Sequence, residues 1–232
     1  MNEQPFNPQL RAARFLPRTV ISSRTLATLR VLTKLTGSAR QPDIDPARIA
    51  IGGASAGAGL AAALTLLAKE RGEIRPVLQL LSYPMLDDRT TARTDIDPRR
   101  LRIWSQHSNR FGWRAYLGPA TADSGVSPLA APARYDDLSG LPPAWIGVGT
   151  NDLFHDEDVT YARRLQEAGV ACTLRIVQGA YHNFDSMEPK TAISRGFVQA
   201  QITALDEALN GPRTNLPQPS ATTAERPNEL MN

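Results

Sequence analysis

The 232-residue chain holds a single cysteine, Cys172, so an internal disulfide is excluded, and with it the secreted disulfide-scaffold class. A lone thiol within an apolar stretch reads as core packing and fits a reducing compartment. No apolar run approaches the ~18–20 residues that a membrane-spanning helix needs. The opening residues also lack the charged, apolar and small-residue succession of a secretory leader. A cytoplasmic location without a membrane span is therefore the expectation. Histidine is scarce as well: His107, His155 and His182 are the only three. One cysteine and three scattered histidines do not make zinc-ligand spacing, and nothing in the composition points to a metal or an organic cofactor.

The remaining composition, 41% hydrophobic and 21% charged, is that of one globular domain with a sizeable core. The net charge of +3 is uneven. Residues 1–40 carry seven Lys/Arg against Glu3, a net +6, which leaves −3 for the rest. The bland reading of this basic segment is a helix with a solvated charged face. No aromatic interleaving supports a nucleic-acid partner.

Along the chain, residues 22–36 predict a helix, with Leu26, Leu29, Leu32 and Leu35 at every third position. A polar connector over 38–48 follows. From there strands and helices alternate. Apolar runs at 48–52, 76–82, 144–149 and 172–178 read as strands, and 56–70, 157–168 and 189–209 as helices. The last of these carries a stripe of Ile193, Phe197, Ile202, Leu205 and Leu209. The pattern predicts an α/β fold of about four parallel strands covered on both faces. The interval 83–143 is too long for a simple connection. It predicts a helix near 98–108, and its aromatics either line a ligand pocket, form a satellite core, or do both. The proline-bearing tail, 211–232, is expected to be disordered.

Residues 53–57, Gly-Ala-Ser-Ala-Gly, spell G-x-S-x-G between a strand and a helix. In a nucleophile elbow, small flanking residues allow a sharp turn that lifts the serine hydroxyl above the sheet. The same glycines also fit a pyrophosphate-cradling turn. That reading asks for an acid at the end of the next strand, and PVLQLLSYP has none. It also asks for Tyr-x-x-x-Lys, yet none of the five tyrosines has a lysine four residues on. A serine nucleophile instead needs a base and an orienting carboxylate. Ser55, Asp152 and His182 each fall just past a predicted strand, on one rim of the sheet and in the order Ser…Asp…His. His155 is the rival base. Asp156, Glu157 and Asp158 read as acids favoured at a helix start.

With these residues in place, the stretches DPARIAIGGASAGAGLAAAL, QLLSYPMLDDR, DLSGLPPAWIGVGTNDLFHDED and GAYHNFD resemble the α/β-hydrolase esterases of the hormone-sensitive-lipase-like group. The resemblance runs through residues 42–210. It implies a partial α/β-hydrolase domain that splits small-molecule carboxylic esters of short or medium acyl chain. Ser55 would be the nucleophile, His182 the base, Asp152 its orienter and the Ala56 amide an oxyanion donor. It also implies a helical cap, from residues 1–41 and the insert 83–143, whose pocket would take in Tyr83, Trp104, Phe111, Trp113 and Phe184.

The sequence departs from that family at one point. The His-Gly-Gly-Gly that supplies oxyanion-hole amides in the group has no counterpart here, since no histidine precedes His107 and the only Gly-Gly is Gly52-Gly53. The resemblance implies an interior deletion on the order of 80 residues, judged against usual domain sizes. The elbow strand then becomes a sheet edge, an invitation to homo-oligomerisation. The alternative function is a catalytically weak remnant that acts as a binding protein or is a deletion product.

Overall fold

The computed structural model describes residues 6–10, 45, 47–72, 74–118 and 125–211. The predicted helix 22–36, nearly all of the cap-like segment 1–41, and the tail from residue 212 lie outside the described residues.

Four parallel strands form one sheet in the spatial order β1-β2-β3-β4: β1 (Ala50–Ala54), β2 (Leu78–Ser82), β3 (Ala144–Asn151) and β4 (Cys172–Tyr181). Each falls on one of the four apolar runs. β2 and β3 are central, and β2 is buried at every position, which is why it reads as continuous apolar sequence rather than as an alternation. Register pairs Leu81 with Ile146 and Leu80 with Trp145, so the two rows face opposite layers.

One layer packs Leu81 and Ile146 under α1 (Ala56–Arg71) and α3 (His155–Glu167), with Ala58, Ala62, Leu66, Tyr161 and Leu165 fully enclosed. The opposite layer packs Leu80, Trp145 and Val148 against α5 (Ala192–Asn210) and the one-turn α4 (Phe184–Met187). Phe197 anchors this layer, with ring centroids 5.0 Å from Phe184 and 5.3 Å from Trp145. Ile202 of the expected stripe is instead exposed, and the small residues Ala200, Ala204 and Ala208 take the inner face with Leu205.

The insert holds α2 (Gln106–Leu117), later than the helix expected near 98–108. Ser105 sets its start by accepting from the Ser108 amide, while Pro98 opens only a single 3₁₀ turn, Pro98–Arg100. Of the readings of the insert aromatics, the satellite core is the one the packing bears out. Trp104 and Trp113 share a third cluster with Met85, Leu101, Leu153 and Phe154.

Phe197 is 0% exposed and touches three aromatic rings, so truncation leaves a cavity that small neighbours cannot fill. Phe197→Ala is expected to lose about 3–5 kcal/mol of stability. Urea unfolding will read this as a lower midpoint at unchanged slope.

Candidate active site

Ser55 occupies the joint between β1 and α1 with φ 56 and ψ −125, a conformation rare for a residue with a side chain. Main-chain bonds hold it there. Its N–H donates to the Ser82 carbonyl at 2.9 Å, and its own carbonyl accepts from Met85 N–H at 3.1 Å. The turn is thereby tied to the end of β2. A Cβ on Gly53 would lie 2.5 Å from the Gly57 carbonyl, and one on Gly59 would lie 2.2 Å from the Met85 carbonyl. Gly53 and Gly59 therefore cannot carry side chains. Gly57, which the G-x-S-x-G pattern singles out, meets no such obstacle among the described residues.

His182 directly follows β4, and its buried ring bridges the other two groups. Nε2 stands 2.9 Å from Ser55 Oγ, and Nδ1 stands 2.9 Å from Asp152 Oδ2. Asp152 follows β3 with its side chain fully enclosed, and Oδ1 accepts from the Phe154 amide at 3.0 Å, which leaves Oδ2 for the imidazole. A register irregularity between Gly149 and Asn151 pairs Asn151 with Tyr181 just before both residues are reached. The structure thus brings together Ser55, Asp152 and His182. It does not bring in His155, whose Nδ1 lies 2.7 Å from Asp156 Oδ1, nor His107, which is exposed on α2.

Three aromatic rings surround the imidazole: Tyr83 edge-on at 4.9 Å, Phe154 edge-on at 5.3 Å and Trp104 tilted at 6.1 Å. Phe154 escaped the sequence reading, although its place two residues after Asp152 carries the signal. Of the residues expected in a pocket, Phe111 is half-buried on α2. Tyr83, Phe184 and Trp113 are core residues rather than pocket lining: Phe184 is 0% exposed beside Phe197, Tyr83 is 2% exposed in the same cluster, and Trp113 is 2% exposed in the insert cluster. Ala56 opens α1, where first-turn amides have no partner within the helix. Among the described residues, no group of three His, Cys, Asp or Glu is placed to hold a metal, and no helix is long and apolar enough to cross a membrane.

The acids at the start of α3 are not alike. Asp156 pairs with Arg93 at 2.7 Å and with His155, and its carboxyl is held below the usual range mainly by that His155 bond. Glu157 and Asp158 are buried, contrary to a surface helix-start role. Glu157 accepts from the Leu86 amide at 2.8 Å and pairs with the Thr90 hydroxyl. Burial raises its carboxyl from the ordinary 4.5 to about 8. Asp158 is raised too, by burial first and then by the charges of Glu157 and Asp152. The unfolded chain releases the Glu157 proton near 4.5 while the folded chain keeps it to about 8. The contribution of Glu157 to stability therefore falls as pH rises between those values. Glu157→Gln, which retains the shape and the neutral state, is expected to flatten part of that decline in thermal melts recorded from about pH 5 to pH 8.

A family model described as alpha/beta hydrolase fold matches residues 14–186. The carboxylic ester hydrolase LipN of Mycobacterium tuberculosis is 36% identical over 152 aligned positions, an alignment that covers 60% of this chain and 38% of that protein. The carboxylesterase NlhH of the same organism is 34% identical over 173 residues, 72% of this chain and 52% of its own length. Among solved structures, a bacterial heroin esterase aligns with a TM-score of 0.67 at 34% identity, covering 79% of this chain and 57% of the other. Esterase LipW of Mycobacterium marinum aligns at 0.66 and 36%, covering 78% and 56%. The chain spans about half the length of the curated relatives it matches. With its parallel sheet, its serine turn and a family match across most of its length, the chain belongs to the alpha/beta hydrolase fold family.

Proposed function

We propose that this protein is a serine carboxylesterase acting on small esters of short or medium acyl chain through an acyl-enzyme. The observation that carries the reading is the unbroken path Ser55–His182–Asp152, two contacts of 2.9 Å that end on a strained serine turn. Asp152 Oδ2 has only acceptor capacity, so the Nδ1 proton belongs to that bond, and Nε2 is left with its lone pair toward Ser55. As Ser55 Oγ attacks the ester carbonyl, Nε2 takes its proton, and Asp152 stabilises the imidazolium. The oxyanion forms against the Ala56 amide at the positive end of α1. His182 then passes the proton to the leaving alcohol. A water, deprotonated by the same Nε2, releases the acid and frees Ser55. One oxyanion donor is worth ~10²–10³ in turnover, so a site that rests on Ala56 alone would be slow but would still form the acyl-enzyme.

Hydrolysis of p-nitrophenyl acetate and butyrate tests this. The wild type is expected to give a burst of p-nitrophenol, and Ser55→Ala to abolish both burst and turnover, a loss of at least ~10³-fold. Equal rates in the two proteins would instead make the chain a binding remnant of the fold.

A homo-oligomer built through β1 belongs to the same proposal. Among the described residues β1 pairs only with β2, and α1, packed against β1, leaves Leu60 and Leu64 half exposed. An open strand edge beside apolar side chains favours self-association. Light scattering at tens of micromolar is expected to show a dimer or larger species, and Leu64→Glu to shift it toward monomer.

A further inference from the structure

We infer that Tyr83 is a positioning residue for His182, acting through a hydrogen bond to Asp185; the inference rests on the hydrolase reading above. Tyr83 is only 2% exposed, so it offers substrate almost no surface. Its contacts instead run to the loop that carries the histidine. The phenol hydroxyl donates to Asp185 Oδ1 at 2.9 Å, with Asn183 Oδ1 a second acceptor at 3.2 Å. These two acceptors flank Phe184 in the residues immediately after His182. The ring meets the imidazole edge-on at 4.9 Å and stacks on Phe197 at 6.2 Å.

The other end of Tyr83 is equally constrained. It follows β2 directly, its N–H donates to the Gly147 carbonyl of β3 at 2.6 Å, and its φ is 37. A non-glycine residue held at positive φ in a buried place is strain that its surroundings maintain. One residue therefore ties the end of β2 to the middle of β3 through its main chain, and both to the loop beyond β4 through its side chain. That loop needs the tie. Asn183 has φ 62, and α4 has a single turn, so little regular structure holds His182 in place. The Nε2–Oγ contact depends on where this loop sits. Burial and the Asp185 carboxylate both hold the Tyr83 phenol in its protonated, donating form.

Tyr83→Phe keeps the ring and removes the donor. It is expected to lower kcat roughly 10- to 100-fold, the cost of a misplaced base, with KM little changed. Asp185→Ala should fall the same way, and Asp185→Asn, which keeps an acceptor oxygen, should recover most of that loss. The double variant Tyr83→Phe/Asp185→Ala should be no slower than Tyr83→Phe alone. Phosphonylation of Ser55 by a fluorophosphonate probe reads serine activation without turnover and should slow in parallel. Should Tyr83→Phe fail to fold, the two Asp185 variants carry the test. If the wild type is not labelled, the hydrolase reading fails. If it is labelled and the Tyr83 and Asp185 variants react at the same rate and turn over equally, positioning by Tyr83 is overturned.

Discussion

The parallel ladder is the constraint on which everything else in this molecule depends. Because β1 to β4 all run one way, every strand delivers its carboxyl end to the same rim. Residues separated by up to 127 positions then meet without any long-range search by the loops. Ser55, Asp152 and His182 each need only the first turn after a strand to reach the others. The backbone hydrogen bonds of the sheet, which carry no chemistry themselves, set the spacing of groups that do.

The ladder alone does not aim the serine. That falls to a local conformation the chain would not choose by itself, a positive φ at a residue with a side chain. Two main-chain bonds from the end of β2 hold it, and the helix that follows lies close because Ala58, Gly59, Ala61 and Ala62 present almost no bulk. Around the histidine the support is aromatic, three rings from three segments of chain. The site thus draws on the sheet for spacing, on small residues for approach and on rings for orientation.

Much of this was legible in the sequence, for identifiable reasons. Central strands buried on both faces leave unbroken apolar runs, so β2 and β3 announce themselves. Serine, aspartate and histidine placed just after such runs are grouped by that placement, which leaves only His155 to be set aside by the geometry. What was not legible depends on tertiary context. Glu157 and Asp158 look like ordinary helix-start acids, and only tertiary packing, for Glu157 the contacts with Leu86 and Thr90, buries them. The insert helix is expected near 98–108 but begins at Gln106, because the Ser105 side chain that caps it is a local signal easily passed over. Phe184 and Trp113 were assigned to a pocket because an aromatic near a site has the same sequence whether it faces a ligand or the core. Tyr83 was singled out, but its tie to Asp185 across 102 positions has no local signature.

The glycines of the serine turn bear on how such turns are recognised at all. The familiar five-residue signature weights Gly57, which the described structure leaves free to change, and ignores Gly59, where any side chain would meet the Met85 carbonyl. For this chain the sterically enforced descriptor is wider: G-x-S-x-x-x-G, from Gly53 to Gly59. A search by the short pattern would discard a homologue that had replaced Gly57 with no loss of geometry. It would also keep one in which a side chain at position 59 had pushed the helix off the strand.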